Sequence, residues 1–155
     1  MKKWAFFLAC FGVVAALSGE GLAGQDVATL EPVQTVYIAL EDKKIVLQTD
    51  TGAEGSGESV AFAIENLHET TAARVFLDTA DYLLVESKLQ QWIPSFQDLL
   101  RPSCRICLVQ GDPDMEQVGA FLKIHKPKIA MKDYLAGDRK LPTLKSGEEG
   151  MLLVP

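Results

Sequence analysis

Short apolar segments typical of β-strands alternate along this chain with segments whose apolar residues recur at helical spacing. This alternation limits the possible folds more than any other feature of the sequence. Strands are predicted at residues 36–40, 45–48, 74–77 and 106–109, with the first two forming a hairpin, and helices are predicted after Ser59 and after Asp114. Strands that alternate with helices are typical of an α/β domain with a mostly parallel sheet.

Other segments give weaker signals. Residues 51–57 contain three glycines and predict an irregular turn that lets the following helix pack on the sheet. Their spacing matches neither a dinucleotide fingerprint nor a phosphate loop. Residues 80–89 are predicted to be helical or mixed, and the apolar residues of 92–99 recur at helical spacing until Pro102 ends them. In the tail, residues 129–131 and 151–154 are short strand candidates.

The first 24 residues have the layout of a secretory signal peptide. Lys2 and Lys3 precede the apolar residues 4–17, and small residues follow at 18–24. We therefore expect an exported protein, either periplasmic or secreted. The predicted organisation is a signal peptide at 1–24, an N-terminal arm and edge strand at 25–43, and an α/β domain at 44–155.

The charge of the exported part limits its partners. Removal of Lys2, Lys3 and Glu20 from the 15 basic and 21 acidic residues leaves a net charge of −7. No basic stripe is present to neutralise phosphates, so we expect no nucleic-acid partner. No apolar run after residue 24 reaches the roughly 20 residues of a membrane helix, so no stable membrane span is expected after signal cleavage.

Cys104 and Cys107 are the candidate site residues, because Cys10 is expected to leave with the signal peptide. A thiol pair in an oxidising compartment is bridged, bound to metal or kept for chemistry. If a strand begins at Cys104, the two residues lie about 10 Å apart and cannot bridge, whereas a turn at Cys104 permits a disulfide. A copper or zinc site with His125 is a weaker alternative, since one CxxC pair is a weak metal signal. We predict no cofactor and no metal.

The order of these segments resembles the DsrE/DsrF-like sulfur-relay family. The resemblance covers about residues 44–154 and depends on the strand at 45–48, the glycine loop, the helix at 60–64 and the strands at 74–78 and 106–109. It implies a flavodoxin-like three-layer α/β sandwich with a mostly parallel sheet, and assembly as a homo-oligomer. It also implies a persulfide-bearing cysteine near the end of a central strand, which maps onto Cys107. An alternative alignment makes both Cys104 and Cys107 site residues.

Two functions from different classes follow. In the first, an exported DsrE-like protein takes sulfane sulfur from a donor protein as a persulfide on Cys107 and passes it to an acceptor. Cys104 is then a resolving thiol, and Arg105 favours the thiolate. In the second, the protein is a non-catalytic oligomeric binding or interaction module with structural cysteines. A third possibility, thiol–disulfide exchange, requires a reducible bridge. Solvent access separates the first two, because a reactive Cys107 lies at a pocket or subunit seam.

Overall fold

The structure is a computed structural model that describes residues 30–71, 74–137, 139–147 and 150–155. The predicted signal peptide, Cys10 and residues 25–29 of the predicted arm lie outside the described residues. Within the described ranges, nine strands form two sheets. The strands are β1 Leu30–Pro32, β2 Thr35–Glu41, β3 Lys44–Thr49, β4 Glu54–Gly57, β5 Arg74–Phe76, β6 Tyr82–Glu86, β7 Arg105–Gln110, β8 Thr143–Gly147 and β9 Gly150–Val154.

The larger sheet has seven strands in the order β4-β3-β2-β6-β7-β8-β9, and β1 pairs with β5 in a separate two-stranded parallel sheet. The four central strands β2, β6, β7 and β8 are parallel to one another. The remaining pairings, at the two ends of the sheet, are antiparallel. The protein therefore has an α/β fold with a mixed sheet, and the predicted mostly parallel sheet is limited to these four central strands.

A tight turn explains the antiparallel pairing of β2 with β3. Two residues, Asp42 and Lys43, connect β2 to β3, and both have positive φ angles of 47° and 67°. Positive φ at both central residues is the property of the turns that close two-residue hairpins. Because β2 pairs with β3 on one side and β6 on the other, it lies inside the sheet. Within residues 25–43, β2 is thus an interior strand of the larger sheet, whereas β1 belongs to the separate two-stranded sheet.

Helices cover both faces of this sheet. Helix α1, Val60–Thr70, and the 3₁₀ helix Ser87–Phe96 pack on one face, together with Met131 at the start of α3, Met131–Leu135. Helix α2, Met115–Ile124, packs on the opposite face through Val118 and Leu122. The two resulting clusters of buried side chains are called here the α1-side core and the α2-side core.

Two helix starts follow from local sequence. The Ser59 hydroxyl accepts a hydrogen bond from the amide of Phe62, and the Asp114 carboxylate accepts from the amides of Glu116 and Gln117. Side chains of this kind satisfy amide groups that have no partner within the first helical turn. The predicted helix starts at these two positions are confirmed.

The glycine-rich segment differs from its prediction, because residues 54–57 form strand β4 instead of an irregular turn. A Cβ atom at Gly57 would lie 2.6 Å from the backbone nitrogen of Ala63, and one at Gly55 would overlap the carbonyl oxygen of Ala63. The glycines therefore let the backbone of α1 approach β4 closely. The expectation that they serve helix packing is confirmed, while the expectation of irregular backbone is correct for residues 51–53 and wrong for residues 54–57.

Further differences lie in segments with ambiguous periodicity. The predicted helical or mixed segment 80–89 contains the buried strand β6, in which Tyr82, Leu83, Leu84 and Val85 are all inside. A continuous apolar run of this length does not by itself distinguish a buried strand from a helix. The predicted strand at 129–131 is not formed, and the central strand β8 was not predicted. The predicted hairpin of β2 and β3 is confirmed, as are the strands β7 and β9.

Candidate functional site

Cys107 lies in the middle of β7, a strand that pairs with β6 on one side and with β8 on the other. Its side chain belongs to the α2-side core, with Tyr37, Leu84, Val118 and Leu122. The relative exposure of Cys107 is 0%. The residue predicted to carry a persulfide is thus an interior residue of the sheet.

Cys104 directly precedes β7 and is fixed by its backbone. Its amide donates to the carbonyl of Arg101 at 2.9 Å, and its carbonyl accepts from the amide of Met131 at 2.7 Å. Its side chain is also 0% exposed and lies in the α1-side core with Phe96 and Leu100.

The two thiols consequently lie on opposite faces of the sheet. Successive side chains along a strand alternate between faces, so residues three positions apart point in opposite directions. Ile106 shares the α1-side core with Cys104, while Cys107 and Val109 share the α2-side core. Both cysteines are free in this structure. Cys104 precedes the strand, which is the position that permits a disulfide. The alternation of side chains along the strand nevertheless places the two thiols on opposite faces of the sheet.

Burial also determines the protonation of these thiols. Desolvation raises the pKa of Cys104 to about 12, an effect that Arg101 partly opposes. Desolvation raises the pKa of Cys107 to about 12 as well, and the neighbouring Cys104 adds to the increase. Arg105, the predicted partner of a thiolate, donates instead from its guanidinium to the carbonyl of Pro127 at 2.6 Å. Both cysteines are therefore neutral thiols at physiological pH.

The weaker metal hypothesis has no supporting geometry within the described ranges, where no group of three His, Cys, Asp or Glu side chains can hold a metal ion. The two cysteines face different cores. His125 ends helix α2 and stacks on Phe121, with ring centroids 4.5 Å apart.

A second candidate site lies at the carboxyl ends of the parallel strands β2, β6 and β7. A cavity of about 480 Å³ is present there, and we call it the carboxyl-end crevice; its polar lining residues include Tyr37, Glu41, Glu86, Gln110 and Asp112. In open α/β sheets, ligands bind preferentially in a crevice outside the carboxyl ends of the strands. The volume lies within the range of about 300–1,000 Å³ that is usual for small-molecule sites.

Glu86 is the fixed element of this crevice. One of its carboxylate oxygens accepts a hydrogen bond from the amide of Leu40 at 2.8 Å, and the other lies 3.3 Å from the ammonium group of Lys88. The Ser87 hydroxyl donates to the carbonyl of Val109 at 3.1 Å, which joins the ends of β6 and β7.

Tyr37 has the most strongly perturbed environment in the crevice. Burial raises its pKa to about 12, and the negative charges of Glu86, Asp112 and Glu41 contribute to the increase. This site was not predicted from the sequence, because its residues come from three segments far apart in the chain. The one available signal was that polar residues such as Glu41 and Gln110 directly end predicted strands.

The fold and the two candidate sites define an α/β domain with buried thiols and an acidic crevice at the carboxyl ends of its parallel strands. No protein-family model matches the chain, and no curated protein or solved structure matches it. Among the described residues, no helix is both long and apolar enough to cross a membrane.

Proposed function

We propose that the protein is an exported, non-catalytic binding or interaction module in which Cys104 and Cys107 are structural residues of the core. The observation that supports this proposal most directly is the complete burial of both thiols, on opposite faces of one sheet. Sulfur transfer and disulfide exchange both need an accessible thiolate. A buried thiol with a pKa of about 12 packs instead like a small apolar side chain.

The proposal includes self-association through the edge strand β9. Within the described sheet β9 pairs only with β8, and its sequence from Gly150 to Val154 contains no charged residue. Leu152 on this strand is 61% exposed. An apolar edge strand offers unpaired backbone groups to a second strand, and soluble proteins usually protect such edges with charges or cover them. The β9 strand of a second copy covers this edge by pairing with it through backbone hydrogen bonds.

A second candidate function is the sulfur relay of an exported DsrE-like protein with a flavodoxin-like fold. One observation favours it, because Cys107 lies on one of the four central parallel strands, although in the middle of β7 and not near its end as the resemblance implies. In this function Cys107 receives sulfane sulfur and Cys104 is the resolving thiol. The relay requires local opening of the α2-side core, because the closed protein does not expose either sulfur atom.

Alkylation of the folded protein tests the two functions against each other. Protein from its native compartment is treated with iodoacetamide at neutral pH, with and without denaturant, and its intact mass is measured. We expect neither thiol to react in the folded protein and both to react after unfolding. The matched control is Ile124→Cys, because Ile124 is 78% exposed at the end of α2 and a thiol there is expected to react without denaturant.

The relay predicts a different mass spectrum. A mass increase of about 32 Da that is lost with reductant, maps to Cys107 and is absent from Cys107→Ser would contradict the binding-module proposal. Rapid alkylation of Cys107 in the folded protein would contradict it as well.

A further inference from the structure

A basic cavity lies at the amino ends of the parallel strands β6 and β7, at the end of the sheet opposite the carboxyl-end crevice. It has a volume of about 270 Å³, and we call it the amino-end cavity. Its lining comes from residues at or just before the starts of the two strands and from the end of α2 and the segment after it: Asp81, Tyr82, Ser103, Arg105, Lys123 and Lys126. Half of these residues are cationic, although the whole chain has a net charge of −6. The cavity therefore concentrates positive charge on an acidic protein.

Arg105 is the fixed cation of this cavity. It lies beside Tyr82 in the strand register, on the face of the sheet that α2 covers. Its guanidinium is partly buried and donates to the carbonyl of Pro127 at 2.6 Å, and it has no carboxylate partner within the described ranges. The one acidic group of the lining, the carboxylate of Asp81, is already paired with Arg101. Because a charge that leaves water is normally paired with an opposite charge, the guanidinium indicates an anion in the cavity.

Lys123 and Lys126 extend this positive charge. Both are exposed, and neither has an ion-pair partner in the part of the chain that the structure describes. Lys123 also stabilises the last turn of α2, because a cation is favourable at the carboxyl end of a helix. That role does not explain Arg105, which lies on the sheet. Three cations without a counter-ion, from separate segments around one cavity, favour an anionic ligand.

Hydroxyl groups complete the polar lining. Among the described side chains, the Thr35 hydroxyl is the one that is both enclosed and without a hydrogen-bond partner. The Tyr82 hydroxyl makes no hydrogen bond to a described residue either, so it must be open to solvent, although Tyr82 is only 5% exposed. Burial raises the pKa of Tyr82, and the charge of Arg105 partly opposes the increase. At physiological pH the phenol is therefore a neutral hydrogen-bond donor beside the guanidinium, and the exposed Ser103 supplies a second hydroxyl.

The number and kind of these groups specify the anion. A phosphate group has a charge of about −1.5 to −2 at neutral pH and several acceptor oxygens. The planar guanidinium of an arginine matches its geometry. A carboxylate has one charge and two oxygens and would leave part of this lining unused. The volume of the cavity is slightly below the range of about 300–1,000 Å³ that is usual for small-molecule sites, so it fits one phosphate group.

An adjoining cavity indicates what the phosphate is attached to. Lys126 also lines this second cavity, which has a volume of about 200 Å³ and apolar walls that include Ile129, Pro142 and Leu153. Because one lysine lines both cavities, a ligand with its phosphate in the first can place a short hydrocarbon group in the second. Removal of that hydrocarbon surface from water stabilises the complex. The two cavities together favour an organic phosphate over inorganic phosphate.

We propose that the amino-end cavity binds the phosphate group of an organic phosphate monoester, whose hydrocarbon part lies in the adjoining apolar cavity. The Arg105 guanidinium and the Tyr82 hydroxyl donate hydrogen bonds to the phosphate oxygens, and Lys123 and Lys126 supply further positive charge. The same chemistry is available from a small free phosphate ester and from the headgroup of a lipid such as phosphatidic acid. This inference deepens the proposed binding function and rests on it, because it names a site and a ligand class.

Titration of ¹⁵N-labelled protein with n-butyl phosphate tests the proposal. The matched probes are inorganic phosphate, which lacks the hydrocarbon part, and n-butyrate, which lacks the phosphate. We expect n-butyl phosphate to shift the amide resonances of Ser103, Arg105 and Lys126 and to bind more tightly than either probe. The proposal is overturned if these resonances do not shift, or if either matched probe binds as tightly as n-butyl phosphate.

Substitutions at the lining test the individual contacts. Lys126→Gln should weaken the binding of n-butyl phosphate by roughly two- to fivefold, the usual size of an exposed ion pair. Tyr82→Phe should weaken it by roughly two- to tenfold, the net size of one hydrogen bond, while the packing of the ring is retained. Arg105→Lys keeps the charge but removes the guanidinium, and it should weaken binding by roughly tenfold.

Lys44→Gln is the control variant, since it removes one positive charge from an exposed residue at the start of β3, outside both cavities. It should bind n-butyl phosphate as the unmodified protein does. Equal weakening by Lys44→Gln and Lys126→Gln would show that the anion responds to the overall charge of the protein, and the site would be wrong.

Cosedimentation with phosphatidylcholine vesicles, with and without phosphatidic acid, separates the two sources of the phosphate. Cosedimentation that requires phosphatidic acid and is weaker for Lys126→Gln identifies a lipid headgroup. Binding of n-butyl phosphate without cosedimentation identifies a free phosphate ester.

Failure of this inference is distinguishable from failure of the proposed function. If n-butyl phosphate does not bind while both thiols resist alkylation in the folded protein, the ligand class is wrong and the binding module stands. If Cys107 carries a persulfide, the proposed function is wrong whatever the amino-end cavity binds.

Discussion

At the scale of the residue, the pKa of a thiol depends on whether water or a nearby charge stabilises the anion. Neither water nor a nearby charge stabilises the thiolate of Cys104 or Cys107 enough to keep its pKa near the ordinary value. Arg101 lowers the pKa of Cys104, but the cost of desolvation is larger and leaves the pKa at about 12. The Cys107 thiol faces the apolar α2-side core. Local charge is therefore secondary to burial at both positions.

The raised pKa values predict a loss of stability at alkaline pH. Below pH 9.0, the ordinary pKa of a thiol, both cysteines are protonated in the folded and in the unfolded protein, and their contribution to stability is fully present. As the pH rises from 9.0 towards about 12, the unfolded chain loses these protons first, so the free energy of unfolding falls. We expect each thiol to account for about 1 kcal/mol of this loss between about pH 8 and about pH 10.

Urea unfolding of the unmodified protein and of Cys104→Ala/Cys107→Ala across this pH range measures the effect. The double variant should lose less stability than the unmodified protein as the pH increases, although it is less stable at neutral pH. Equal losses in the two proteins would mean that the thiols ionise at their ordinary pKa and are exposed.

At the scale of the element, the contact between β4 and α1 depends on the absence of side chains. An added Cβ at Gly55 meets the backbone of α1, including the nitrogen of Leu67 at 2.5 Å, so no side-chain rotation relieves the overlap. The Asn66 side chain, which accepts a hydrogen bond from the amide of Ser56 at 2.9 Å, fixes the position of the helix over the strand. The periodicity of α1 was visible in the sequence, but this close approach was not.

Gly55→Ala should consequently destabilise the protein by about 1–3 kcal/mol, as overpacked core substitutions do. Gly137→Ala is the matched control, because an added Cβ at that position meets no atom within 4 Å. It should change the free energy of unfolding by no more than about 1 kcal/mol. Urea denaturation of both variants measures the difference, and equal stabilities would show that β4 and α1 are not in close contact.

At the scale of the whole molecule, the mixed sheet leaves β4 and β9 at its two ends. Helix α1 packs closely against β4, whereas β9 carries the exposed Leu152 on an uncharged edge. The two ends therefore differ in their ability to pair with another chain. We therefore assign the proposed self-association to β9 and not to β4.

Leu152→Lys should shift the protein from dimer to monomer, because a charge on an edge strand opposes pairing with a second copy. Ile124→Lys is the control, since Ile124 is 78% exposed at the end of α2, away from the edge strand. Light scattering coupled to size-exclusion chromatography measures the mass of each variant. A monomeric unmodified protein, or dimers of Leu152→Lys, would contradict pairing through β9.

The amino-acid sequence was sufficient to predict the alternation of strands and helices, the starts of α1 and α2, and the hairpin of β2 and β3. These features depend on local periodicity, helix caps and short turns, which act within a few residues of the chain. Segments with ambiguous periodicity were mispredicted: the buried run of β6 has no alternation, and the glycines of β4 resemble a loop.

The chemistry of the candidate sites depends on how distant parts of the chain pack together. Strand alternation places Cys104 and Cys107 in different cores, but the helices that bury them are packed there by contacts between distant segments. The carboxyl-end crevice also forms only when β2, β6 and β7 lie side by side. Burial and the meeting of distant residues are properties of the packed chain, and the reactivity of a thiol or the charge of a site depends on both.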